Sequence, residues 1–219
     1  MFEEKDYLMK MIKEFTNAIA KIAGLKAENK IEESQEVLSE TLKHFTDLDM
    51  KVIEALPYDI LIHKIGGNTV NSEKYLMLSE LLVQQAEIYE IRGEKSRANN
   101  LLAKSLNIML NILLNDNNPI SESNVVKVNE VVDKLGWYNL PNESELLLFQ
   151  YYESTQSYAK AEDVLFHLLK SDENNKDILK KGISFYERLK DKDHDELEKG
   201  NLPFDEVLEG LESLRHYNG

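Results

Sequence analysis

The sequence predicts an all-α protein, and three observations lead to that fold class. Four prolines and nine glycines are few for 219 residues, and a composition rich in Leu, Glu, Lys and Ile favours helices over strands. Apolar residues recur at steps of three and four along most of the chain. Short polar turns separate these stripes, so consecutive helices should pair antiparallel. The length fits one domain, which we expect to span residues 1–219.

The first helical pair is predicted within the first 45 residues. An apolar stripe runs from Tyr7 to Ile22, and Gly24 is expected to end the helix. A second stripe runs from Ile31 to Phe45. The first stripe is broad enough to serve as a homodimer interface instead of core. Membrane binding is not expected, because lysines and acidic residues balance along this helix.

Two short helices are predicted next, one ending near Leu56 and one from Tyr58 to Ile65, with Pro57 between them. The segment Gly66-Gly67-Asn68 is read as the turn that follows, because Gly and Asn tolerate positive φ at helix ends. A phosphate-binding loop is the alternative. It would need a preceding strand and further glycines, which this segment lacks.

The hairpin from Tyr75 to Leu114 is the most regular segment of the chain. Its pattern residues are Leu82, Gln85, Ala86, Tyr89, Gly93, Ala98 and Leu102. At these spacings the hairpin resembles a tetratricopeptide unit, with Gln85 at a position where that pattern has an apolar residue. The resemblance implies that Ala98 lets the two helices approach closely, and that the fold holds other proteins rather than performs catalysis.

A second, looser match to the same pattern lies downstream. It consists of Leu148, Phe149, Tyr152, Ala161 and Leu165, with Glu145 at the Trp position. An irregular unit separates the two matches and contains a helix from Ser121 to Leu135, closed by Gly136 and Trp137 to Pro141. Two more helices are expected after Asp172, and the last, from Phe204 to Leu214, has the polar outer face of a capping helix. The predicted fold is therefore an irregular tetratricopeptide-like array of antiparallel helical hairpins with a C-terminal capping helix.

The whole-length pattern also resembles an uncharacterised bacterial family of this architecture. The opening Asp6 to Ile12 and the Tyr75 to Leu114 hairpin carry that resemblance. It implies a fold without an assigned activity.

Composition excludes several classes of function. Cysteine is absent, which removes disulfides, thiol nucleophiles and thiolate metal sites and suits the cytoplasm. A net charge of −14 argues against nucleic acid as a partner. The charge serves either to keep the protein soluble or to attract a basic partner. The sequence contains neither a secretory signal nor an apolar run long enough to span a bilayer.

No catalytic, cofactor or metal site is expected, and the protein is not expected to be an enzyme. The five histidines show no metal-binding spacing and are expected at surface or boundary positions. Asp191, Asp193 and Asp195 begin like a calcium loop, but Glu196 and Leu202 stand where the loop needs Gly and Glu. We therefore expect a solvated turn there. A catalytic site assembled from distant residues is the alternative.

Peptide binding is the predicted activity, because the tetratricopeptide resemblance implies a concave face built by the first helix of each hairpin. The residues expected to bind a peptide are Val83, Gln84 and Glu87 in one hairpin and Gln150 and Glu153 in the other. Glutamates at the rim favour a basic or extended polar peptide. An acidic surface that only confers solubility is the alternative. A polar stripe of Asn100, Lys104, Asn107 and Asn111 is expected to be exposed on the convex side, or else to bind a peptide backbone.

These inferences predict a non-catalytic module that binds a protein or peptide. The alternative is a homo-oligomeric structural or regulatory protein, with an apolar helix stripe as its own interface.

Overall fold

The computed structural model describes residues 2–66, 72–115, 120–136, 140–172 and 175–216, and within these ranges every regular element is an α-helix. In chain order the helices are α1 (Phe2–Ala27), α2 (Ile31–Thr46), α3 (Met50–Ala55), α4 (Tyr58–Gly66), α5 (Ser72–Ile91), α6 (Lys95–Asn115), α7 (Glu122–Leu135), α8 (Asn142–Ser154), α9 (Tyr158–Ser171), α10 (Lys176–Lys190), α11 (His194–Lys199) and α12 (Phe204–Arg215). The predicted all-α class is confirmed. None of the described helices has the length and apolar character needed to cross a bilayer.

Tertiary contacts divide the chain into two compact units. The first contains Met1–Ile112 and Ser123–Leu135, and the second contains Leu113–Glu122 and Gly136–Gly219. The expectation of one domain over residues 1–219 stays a prediction.

In the first unit, α1 and α2 form the predicted antiparallel pair, and the Ser34 hydroxyl donates to the carbonyl of Ile22 over 3.1 Å. The predicted helix end at Gly24 is wrong, because α1 continues to Ala27. Asn29 takes the left-handed conformation that turns the chain, with φ of 60°.

Helix α5 is the centre of the first unit, where α1, α2 and α4 all pack against it. Gly93 makes the turn to α6 with φ of 79°, and the Ser105 hydroxyl donates to the carbonyl of Ser79 over 2.8 Å. Because positions before and after the turn meet in this way, α5 and α6 form an antiparallel hairpin. Ala98 is fully buried in it. The tetratricopeptide-like arrangement of the hairpins stays a prediction.

In the second unit, α8 and α9 form the other predicted hairpin, and its pattern residues Leu148, Tyr152 and Ala161 are buried. The unit also contains α11, a helix that the sequence analysis missed. The expected solvated turn covers residues 191–193, whereas Asp195 lies within α11. Asp193 begins this helix by accepting a hydrogen bond from the Asp195 amide over 2.8 Å, as an N-cap residue does. Buried Leu197 anchors it.

The last helix, α12, packs against α10 and buries Val207, Leu211 and Leu214, while Leu208 of the predicted stripe is exposed. Parts of two predicted turns lie outside the described residues, namely Gly67 with Asn68, and Trp137 with Tyr138 and Asn139. Gly66 is the final residue of α4.

Candidate functional site

Three of the predicted binding residues, Val83, Gln84 and Glu87, lie along one face of α5 and line a cavity of about 100 Å³. Its apolar walls consist of Leu76, Val83, Met109 and Val131. Small-molecule pockets commonly measure about 300 to 1,000 Å³, so this cavity has room for one side chain rather than for a cofactor.

Glu87 is held between two lysines from other helices. Its carboxylate accepts hydrogen bonds from Lys26 of α1 and from Lys134 of α7. Burial alone would raise the pKa of Glu87, but the hydrogen bonds and charges of the two lysines outweigh burial and hold that pKa below its usual value. Glu87 is therefore charged and fully paired at neutral pH.

Gln84 and Glu80 continue this polar network along α5. The Lys26 ammonium donates to Gln84 Oε1 over 2.6 Å, and Gln84 Nε2 donates to Glu80 Oε1 over 3.1 Å. Lys127 of α7 lies 3.2 Å from the Glu80 carboxylate. The glutamates that were predicted to attract a basic peptide are thus already paired with lysines of the chain itself.

Glu130 of α7 also lines the cavity and is exposed. It forms no ion pair with any other residue that the structure describes. The other two glutamates that line the cavity, Glu80 and Glu87, are each paired with a lysine. The charge of Glu130 is therefore available to a ligand.

The other two predicted binding residues belong to the second unit. Gln150 is exposed on α8. Glu153 accepts two hydrogen bonds from Arg188 of α10, at 2.7 and 2.8 Å. This fork-like arrangement is the geometry in which arginine binds carboxylates best, so Glu153 ties α8 to α10.

Sequence analysis missed Lys26, Lys127 and Lys134. Each lies on a helix to which it had assigned no part of the peptide-binding face, and each is far from α5 in sequence. Spacing within a hairpin cannot show which third helix covers it.

Only part of the polar stripe of α6 has its predicted exposure, because Asn100 is exposed but Lys104 and Asn107 are not. Lys104 is half-buried, and its ammonium donates to the carbonyls of Ile53, Glu54 and Leu56 over 2.6, 3.0 and 2.7 Å. These carbonyls end α3, where helices leave their acceptors unpaired. Burial lowers the pKa of Lys104, and the charge of Glu54 opposes that shift. Asn107 is buried as well.

A histidine and a glutamate meet inside the second unit. His167 Nδ1 lies 2.9 Å from the Oε1 of Glu145, which is almost completely buried. Burial raises the pKa of Glu145, and the His167 ring acts in the opposite direction. The expected boundary position fits His167, which is half-buried, and the other four histidines are exposed. The contact joins α8, which carries Glu145, to α9, which carries His167.

Within the described ranges, no group of three or more His, Asp or Glu side chains is placed to hold a metal ion. No curated protein and no solved structure shows significant similarity to the chain. The profile of a family described as a family of unknown function (DUF6483) matches residues 1–219, and the protein belongs to that family.

Proposed function

We propose that this protein is a non-catalytic module that binds a segment of another protein at the cavity between α5 and α7. The observation that carries the proposal is the meeting of Val83, Gln84 and Glu87 at one side-chain-sized cavity. An apolar recess with a few polar groups around it is how helical surfaces commonly take an anchor residue from a partner.

The chemistry of the cavity suggests what the partner segment contains. Apolar walls favour an aliphatic or aromatic anchor side chain. The free carboxylate of Glu130 favours a lysine or arginine beside that anchor. Because Glu130 is exposed, the attraction should weaken as salt rises.

Access to the cavity requires little energy. Lys127 covers one side through its ion pair with Glu80, and about half of the Lys127 side chain is exposed. Exposed ion pairs of this kind contribute about 0 to 1 kcal/mol. Lys127 can therefore move away when a ligand arrives, whereas the buried pairing of Lys26 keeps α1 in place.

Selection of binding peptides from a random display library tests the proposal directly. We expect enrichment of an apolar residue next to Lys or Arg, and loss of at least tenfold in affinity in Val83→Lys. Val126→Lys is the matched control, because Val126 is an exposed valine of α7 that does not line the cavity. Glu130→Gln should reduce both the affinity and its salt dependence. Peptides that bind wild type and Val83→Lys equally would exclude this cavity as the site.

Self-association is a second candidate function, supported by Met9 and Ile12. These side chains are 60% and 40% exposed and lie about one turn apart on α1. Sedimentation of wild type should show a dimer that Met9→Lys with Ile12→Lys abolishes. Met11 is unsuitable for this test because it is buried. A wild-type protein that stays monomeric at all concentrations would rule self-association out.

A further inference from the structure

A second cavity of the first unit is large enough for a small molecule. It has a volume of about 450 Å³ and lies among α1, α2 and the beginning of α5. That volume falls within the range of about 300 to 1,000 Å³ that small-ligand pockets occupy. None of its lining residues belongs to the α5–α7 cavity.

Two apolar side chains, Met11 of α1 and Phe45 of α2, line this cavity. Met11 is buried, and Phe45 is half-buried. Phe15 fixes the Phe45 ring through an edge-to-face contact, with ring centroids 5.5 Å apart. The cavity therefore offers a rigid apolar surface that an apolar ligand group can cover.

Three of the charged or ionisable side chains around the cavity are partnered with one another. Glu14 lies 3.8 Å from the Lys10 ammonium and 3.8 Å from His44 Nε2. These exposed contacts account for Lys10, Glu14 and His44 without a ligand.

The remaining two charges, on Asp47 and Lys74, are opposite in sign. Both line the cavity, yet neither forms an ion pair within 4.0 Å with any residue that the structure describes, including each other. The backbone of Asp47 is fixed, because it ends α2 with φ of 57° and its amide donates to the carbonyl of Lys43. Lys74 is half-buried on α5. A ligand that carries both charges would pair with both residues at once.

We propose that this cavity binds a free amino acid with a large apolar side chain. The ligand carboxylate pairs with Lys74, its ammonium pairs with Asp47, and its side chain packs on Met11 and Phe45. The three contacts together select against molecules that lack either charge, because Asp47 or Lys74 would then stay without an ionic partner at the cavity.

Calorimetric titration of the full chain with L-phenylalanine and with L-leucine tests the proposal. We expect binding of at least one of the two amino acids. N-acetyl-L-phenylalanine lacks the ammonium and phenethylamine lacks the carboxylate, and each should bind at least tenfold more weakly than L-phenylalanine. Lys74→Gln and Asp47→Asn should each weaken binding to a similar extent. Asn tolerates the left-handed backbone of position 47.

Lys43→Gln is the control, because Lys43 is an exposed lysine of α2 outside the cavity and pairs with Asp49. Val83→Lys should leave amino acid binding unchanged, which separates this proposal from peptide binding at α5 and α7. Methyl NMR of Met11 in the wild-type protein provides a readout that requires no variant. Three results would each overturn the proposal. The Met11 methyl signal would not shift with either amino acid, the two analogues would bind as tightly as L-phenylalanine, or Lys43→Gln would weaken binding as much as Lys74→Gln does.

Discussion

Gln35 of α2 and Gln85 of α5 exchange two hydrogen bonds through their side-chain amides. Gln35 Nε2 donates to Gln85 Oε1 over 2.7 Å, and Gln85 Nε2 donates to Gln35 Oε1 over 2.8 Å. Gln85 is fully buried. It stands where the tetratricopeptide pattern has an apolar residue, and the reciprocal pair explains how a polar side chain is accommodated there.

Replacing one member of this amide pair should cost more than replacing both. Gln85→Leu leaves the Gln35 amide without its buried partner, so we expect a loss of about 1 to 3 kcal/mol in the free energy of unfolding. Gln35→Leu with Gln85→Leu should recover part of that loss. Urea unfolding of the two single variants and the double variant measures the coupling. Strictly additive effects would show that the two amides do not stabilise each other.

Glu87→Gln should lower the free energy of unfolding at neutral pH, and it should also make that free energy depend less on pH in the acidic range. The pKa of Glu87 is lowered in the folded protein, so its contribution is complete above about pH 4.5 and is lost as pH falls through the lowered pKa. The variant should therefore lose less stability than wild type on acidification. Urea unfolding at neutral and acidic pH measures this difference. Glu90→Gln, an exposed glutamate on the same helix, should behave like wild type.

Ala98→Leu should destabilise the α5–α6 hairpin. Ala98 has no exposed surface, so added methylenes force the helices apart at a cost of about 1 to 3 kcal/mol. Thermal unfolding measures the effect. Ala23→Leu places the same larger side chain at an exposed position of α1 and should leave the melting temperature nearly unchanged. An unchanged melting temperature in Ala98→Leu would contradict close packing at this position.

Gly210→Ala should destabilise the second unit. A Cβ at Gly210 would lie 2.5 Å from Cε1 and Oη of Tyr186, and Tyr186 is fixed by its hydrogen bond to Glu162. The clash should exceed the gain of about 1 kcal/mol that Ala brings to a helix. Gly24→Ala meets nothing within 4 Å and should raise stability. Thermal melts that shift in the same direction for both variants would contradict this packing.

Lys104→Met should cost about 1 to 3 kcal/mol, because three carbonyls at the end of α3 lose their donor. Methionine keeps the apolar part of the side chain. Lys181→Met changes an exposed lysine of α10 in the same way and should have little effect. Chemical unfolding compares the two. Hydrogen exchange in α3 should rise in Lys104→Met alone, and unchanged exchange would show that Lys104 does not hold α3.

Much of the fold could be predicted from the sequence, because helix periodicity is a local property. The hairpin that contains Tyr89, Gly93 and Ala98 follows from spacing and from one glycine that takes positive φ. The end of α1 was harder to predict. Both Gly24 and Asn29 can end a helix, and the structure uses Asn29.

Less of the candidate site could be predicted, because its walls come from three helices. The tetratricopeptide resemblance indicated which side of α5 would face a groove and therefore found Gln84 and Glu87. It contained no information on which helices would cover that side. Lys26 and Lys134 reach Glu87 from α1 and α7, and such long-range pairings depend on tertiary packing alone.

The pairing of Glu87 with two lysines has a consequence for variation within the family. A relative that replaces Glu87 with an apolar residue would leave Lys26, which is largely buried, without a counter-charge. The residues at positions 26, 87 and 134 should therefore change together among relatives. An alignment of family members in which they do so would mark the relatives that retain this arrangement of α1, α5 and α7.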